Sequence, residues 1–236
     1  MISSDAFISL LLAAGGDRRI AVPRGGNTNV YGASPYPRSI LGYASSTAND
    51  ISLAAFRHLS HLVASCPAES LNDGQAYAEA LESFRRRLRN AWRLPEERAI
   101  VFAPSGTDLE FIALALAAAV SGRTVTNVLL GQDEVGSGCP LAAEGRHFAA
   151  ETALFPGFIK GSPVEGFEGT QLCCLPVRDT GGNALSGPAL SQMLAQAASR
   201  AIGRGHHVLV HGVHGSKTGL VLPEAADLED LRAAYG

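Results

Sequence analysis

From residue 99 onward, short unbroken apolar runs alternate with longer stretches whose apolar residues recur at helical spacing. AIVFA at 99–103, VTNVLL at 125–130, QLCCLPV at 171–177 and HVLVHGV at 207–213 predict strands. Continuous apolar runs of this length suit strands buried on both faces. Residues 107–121, 139–153, 186–203 and 224–234 predict helices. Strand and helix in alternation is the signature of an α/β fold, a mostly parallel sheet with helices on both faces.

The first hundred residues have a different texture. Residues 5–14 predict a short helix ended by Gly15-Gly16, and helices follow at about 51–65 and 74–93. Between them, residues 22–52 are rich in Gly, Pro, Asn and Ser, too long for a simple connection and of the length that functional loops have. One of Ser45, Ser46, Thr47, Asn49 or Asp50 is expected to cap the helix at 51. The chain therefore divides into an N-terminal helix and extended arm, residues 1–50, and a larger α/β domain, residues 51–236.

Composition narrows the function classes. With 236 residues, 46% hydrophobic and 17% charged, the chain has ample material for a globular core, and a net charge of −3 gives no general case for binding nucleic acid. The N-terminal ISLLLAAGG is too short for a membrane span and, with Asp5 before it and no basic flank, does not resemble a signal peptide. Cys66, Cys139, Cys173 and Cys174 form no C-x-x-C pair, which suits free thiols in a reducing compartment, and a cytoplasmic location is expected. Basic residues are unevenly divided: 17 arginines stand against two lysines, Lys160 and Lys217.

Candidate chemistry begins at Ser105-Gly106-Thr107, where the run AIVFA hands over to a helix through Pro104. Ligands of open α/β sheets bind at the carboxyl ends of strands. Free amides at a helix start, with the dipole behind them, favour an anion, and two hydroxyls add donors. The same residues also suit an ordinary N-cap, with Asp108 complementing the dipole. Elsewhere, GVHGSKT at 212–218 fails as a P-loop because Ser216 stands where glycine is needed and GLVLP follows instead of a helix. The histidines His206, His207, His211 and His214 lack carboxylate or thiolate partners at metal-site spacing. No G-x-S-x-G elbow makes Ser105 a nucleophile.

A strand, P-S-G-T-D and a long Ala/Leu helix together resemble the phosphate-binding turn of fold-type I pyridoxal-phosphate (PLP) enzymes, the aminotransferases and the cysteine desulfurase-like class V group. The resemblance spans roughly residues 50–236. It implies that Ser105, Gly106 and Thr107 hold the cofactor phosphate. In the loop GQDEVGSGCP, 131–140, it places Val135 where class V tends to carry a stacking histidine. Along VLVHGVHGSKTGLVLP, 208–223, it puts Ser216 near the cofactor's phenolic oxygen, with His211 or His214 close by. From the arm it implies Tyr31 toward a phosphate and Arg38 toward a substrate carboxylate. The family acts on amino acids, by transamination, desulfuration or elimination, and its members are homodimers. Its pyridine-binding Asp and Schiff-base Lys follow this loop by a strand and more, so both are expected beyond Gly236 and this chain is expected to be inactive alone. Two alternatives stay open: a compact enzyme using Lys217 with Asp179 as the pyridine partner, and a non-enzymatic α/β domain that binds a phosphorylated ligand or a protein partner.

Overall fold

The computed structural model describes residues 4–13, 20–23, 25–44, 48–65, 73–150 and 157–235. The chain forms two compact units, one of residues 1–102 with 151–157, the other of residues 103–150 with 158–236.

Among the described residues, the first unit holds three helices: α1 (Ser4–Ala13), α2 (Leu53–Ser65) and α3 (Gly74–Trp92). Ile8 of α1 and Phe56 of α2 are its buried apolar anchors. Ser52 caps α2, accepting from the Ala55 amide at 3.1 Å. That role belongs neither to Asn49 nor to Asp50; Ser45, Ser46 and Thr47 lie outside the described residues, as do Gly15-Gly16. Asp50 is already engaged by Arg38 and by the Ser34 amide. Asp73 starts α3 by accepting from Gln75, and Arg93 ends it in the left-handed conformation at φ 52°.

The run AIVFA, expected as a strand, pairs with no strand among the described residues. The Ile100 carbonyl of the run accepts from Arg85 Nε of α3 at 3.0 Å, and just before the run Arg98 O accepts from Arg89 at 3.2 Å. The Arg85 guanidinium also lies 5.4 Å from the Phe102 ring centre. Side-chain donors thus take the place of a ladder.

The second unit is a mixed α/β body: α4 (Leu109–Ser121), β1 (Val125–Leu130), α5 (Cys139–Ala143), β2 (Gln171–Leu175), α6 (Gly187–Gly203), β3 (His207–His211), a hairpin of β4 (Val213–His214) and β5 (Val221–Leu222), and α7 (Ala225–Tyr235). Its three-stranded sheet has the order β2-β1-β3, all parallel, with Val128 opposite Cys173 on one side and Val210 on the other. Every residue of β1 is buried, including Thr126 and Asn127, whose side chains meet His206 Nδ1 at 2.9 Å and Ala143 O at 3.0 Å.

Alternation along β1 supplies two faces. Val128 and Leu130 pack with Leu190, Leu194 and Ala197 of α6, while Val125 packs with Leu114 and Ala117 of α4. Each fully buried leucine contributes about 1.5–3 kcal/mol of transfer free energy. Three expected elements are shorter than their patterns suggested, and the first of them, β2, stops at Leu175, ahead of Pro176, which has no amide proton for a ladder. Residues 144–150 do not continue α5, because the chain turns at Gly145 (φ 72°), where a Cβ would stand 2.5 Å from Phe167 Cβ; residues 151–153 of that stretch include none that are described. The run 207–213 splits at Gly212, so that its last residue, Val213, leaves the parallel sheet for the hairpin. Among the described residues, no helix is long and apolar enough to cross a membrane.

Candidate functional site at the carboxyl edge of the sheet

Helix α4 reaches β1 through residues 122–124 and therefore runs back along the sheet, bringing its N-terminus to the carboxyl edge of β1. From β1, the loop 131–138 leads to α5, which packs on α4; from β3, the hairpin leads to α7, which packs on α6. Neighbouring strands thus send their loops to opposite faces of this edge.

Glu134 lies at this edge. The side chain is 4% exposed, and its carboxylate accepts from Arg178 Nε at 3.0 Å, Ser216 Oγ at 2.8 Å, Thr218 Oγ1 at 2.8 Å and the Thr218 amide at 3.2 Å. These donors hold its pKa down at about 2, the Ser216 hydroxyl foremost and against the opposing effect of desolvation. Arg178 also donates to Gly182 O at 2.8 Å and to Thr218 Oγ1 at 2.6 Å. One carboxylate therefore ties together the loops that follow β1 and β2 and the hairpin after β3. A buried carboxylate without such partners would be costly, so the donors are a condition of its position.

The sequence candidates fall around this clamp. Thr107 Oγ1 lies 3.7 Å from Cys139 Sγ at the start of α5. The amides of Gly106 and Thr107 have no hydrogen-bond acceptor among the described residues, and a Cβ on Gly106 would meet nothing within 4 Å. Ser105 forms a local cap, its hydroxyl donating to Asp108 Oδ2 at 2.6 Å and accepting from the Asp108 amide at 3.2 Å. Two free amides, an open approach and two hydroxyls are a donor set suited to a phosphate group. Asp108 is the opposing charge.

Val135, beside Glu134, packs against the α6-side core. Ser216 gives its proton to Glu134 and accepts from the Leu220 amide at 3.1 Å. Lys217 is exposed, with Nζ donating to Asp133 O at 3.2 Å and its own amide to Glu134 O at 3.2 Å. His214 is exposed on β4. His211, at the end of β3, sets Nδ1 2.6 Å from Glu110 Oε2 in the first turn of α4, a close contact without the alignment of a hydrogen bond. Asp179 closes its own turn, accepting from the Gly181 and Asn183 amides at 2.8 and 2.9 Å, and these bonds with those from the Asn183 side chain lower its pKa.

In the first unit, Arg38 grips Asp50 through Nε at 2.6 Å and Nη2 at 2.8 Å, and Nη2 also donates to Gly32 O at 2.6 Å. The pairing raises the Arg38 pKa and lowers that of Asp50. Tyr31 is exposed, its amide bonded to Asn29 Oδ1 at 2.9 Å. Among the described residues, no group of three or more His, Cys, Asp or Glu side chains could hold a metal.

Sequence reasoning passed over the side chain of Glu134, its partners Arg178 and Thr218, and the pairing of His211 with Glu110. The available signal was an acidic residue inside the glycine-rich loop GQDEVGSG, directly after a buried strand. Set against known proteins, the chain matches no family model, no curated protein and no solved structure.

Proposed function

We propose that the chain is the cofactor-binding part of a PLP-dependent enzyme acting on an amino acid, with Ser105, Gly106 and Thr107 holding the cofactor phosphate. The observation that carries this reading is the contact of Thr107 with Cys139, which sets the turn beside the loop of Glu134 and Val135, at the edge where Ser216 also arrives. Three segments proposed from a family resemblance, and far apart in sequence, meet at the carboxyl edge of one parallel sheet. Bound PLP supplies an electron sink for charge developing at the substrate Cα. The chain's own part is to seat the phosphate on the Gly106 and Thr107 amides, with the Ser105 hydroxyl turning its hydrogen bond from Asp108 to a phosphate oxygen. A second reading, a non-enzymatic domain for a phosphorylated ligand, draws support from the engagement of Ser216 with Glu134.

The test is fluorescence titration of the full chain with PLP, with inorganic phosphate as competitor. Binding is expected to be displaced by phosphate and weakened about tenfold or more in the Ser105→Ala/Thr107→Ala double variant, since two charge-assisted hydrogen bonds are lost. Binding indifferent to both would overturn the reading. Pyridoxal, which lacks the phosphate, should bind poorly; a phosphorylated ligand without an aldehyde that binds as well as PLP would favour the second reading.

A further inference from the structure

The hairpin carries one of the chain's two lysines at its tip, and that tip is the most heavily anchored part of it. Ser216 and Thr218, the residues on either side of Lys217, both donate to the Glu134 carboxylate, and the Lys217 amide itself donates to Glu134 O. The base of the hairpin is set by Val213 and Leu222, which pair with each other and lie in the α6-side core. Lys217 is thus held from below by apolar packing and from both flanks by one buried carboxylate. Its side chain is laid over the β1 loop, with Nζ on the carbonyl of Asp133. Among the described residues Lys160 has no such support; it is exposed in the turn before Gly161.

The geometry points to Glu134 as a positioning residue, one that fixes the 216–218 turn so that Lys217 stands at the carboxyl edge of the sheet as the chain's carbonyl-reactive amine. The acceptor of Nζ is a neutral carbonyl, and the negative charge of Glu134 is met by the Arg178 guanidinium, so the amine is oriented without being locked into an ion pair with that carboxylate. A fixed stem lowers the entropy lost when the amine bonds to a partner. The step is a condensation. The neutral amine adds to an aldehyde carbon, a C–N bond forms as the carbonyl π pair moves to oxygen, and that oxygen leaves as water with the two amine protons. A C=N bond remains, and nothing is oxidised or reduced. That the aldehyde is PLP rests on the reading given above; the positioning of Lys217 does not.

The experiment is reductive trapping with cyanoborohydride on the full chain, run in parallel with PLP and with pyridoxal, and read by peptide mass spectrometry at Lys217 and Lys160. Lys217 is expected to be labelled at least about tenfold faster than Lys160, the scale of a modest orientation effect. Glu134→Gln should bring Lys217 down to the Lys160 rate, and Glu134→Asp, which keeps the charge, should restore part of the difference. Lys160 serves as the internal standard, and thermal unfolding of each variant shows whether the fold persists. If Glu134→Gln does not fold, the Ser216→Ala/Thr218→Val variant removes the same tether and is read in the same way. Equal labelling of the two lysines, or selectivity unchanged in the folded variants, overturns the inference. Phosphate-competed PLP binding without label on Lys217 sinks the positioning role and leaves the PLP reading standing. Selective, Glu134-dependent trapping of pyridoxal without phosphate-competed PLP binding does the reverse.

Discussion

Ser216 donates its hydroxyl proton to Glu134 at 2.8 Å across 82 positions of sequence, and with Thr218 and Arg178 it makes one buried carboxylate the junction of three loops. The clamp has an acid limit. A carboxyl whose folded pKa lies below its ordinary value adds stability at pH above that ordinary value and loses it as pH falls through the folded one. For Glu134 the window runs from the usual glutamate range down to about 2. The melting temperature of the native chain should therefore fall more steeply with acid in that window than that of Glu134→Gln. Parallel curves would show that Glu134 is not held down.

Asp108→Asn should strengthen anion binding. The substitution removes the negative charge beside the Gly106 and Thr107 amides and loosens the hold on the Ser105 proton. A severalfold gain, on the order of 1 kcal/mol, is the scale of a single charge near a helix start. Phosphate competition against PLP checks it; unchanged or weaker competition would place the anion elsewhere.

Arg38 and Asp50 should behave as a single unit. Arg38→Ala frees Gly32 O and Asp50→Ala frees the Ser34 amide, and the double variant should be less destabilised than the sum of the two. A double-mutant cycle by thermal unfolding reads this coupling directly, and simple additivity would contradict the bidentate pair.

Core substitutions should report the two faces of the sheet independently. Leu114→Ala on the α4 side and Leu190→Ala on the α6 side, both fully buried, should each cost about 2–5 kcal/mol in denaturant unfolding. A cost below about 1 kcal/mol at either position would mean that its face is not packed as described.

Gly145→Ala should destabilise the second unit although it adds a single methyl. The residue sits at φ 72°, where an L-residue costs about 1–2 kcal/mol, and the new Cβ would strike Phe167 in addition. A neutral effect on chemical unfolding would exclude this turn.

The amino-acid sequence by itself determined β1, β2, β3, α4 and α6. Their apolar runs and helical periods concern neighbours along the chain, and burial of those residues is favourable in almost any compact arrangement. It also marked Ser105–Thr107, because a turn before a helix is a local feature. Tertiary structure decided what depended on distant partners. AIVFA has the composition of a strand, yet Arg85 of α3 takes its Ile100 carbonyl and Arg89 takes that of Arg98 beside it. Residues 144–150 carry helical character, yet the approach of Phe167 admits only a glycine turn at Gly145. Arg38 reads as a free cation until Asp50, 12 positions away, is placed against it. Glu134 reads as one more acid in a flexible loop until Ser216, Lys217 and Thr218 arrive from more than 80 positions downstream. Periodicity carries no information about such pairs, because a hydrogen bond between remote residues exists only once the chain has brought donor and acceptor within about 3 Å of each other.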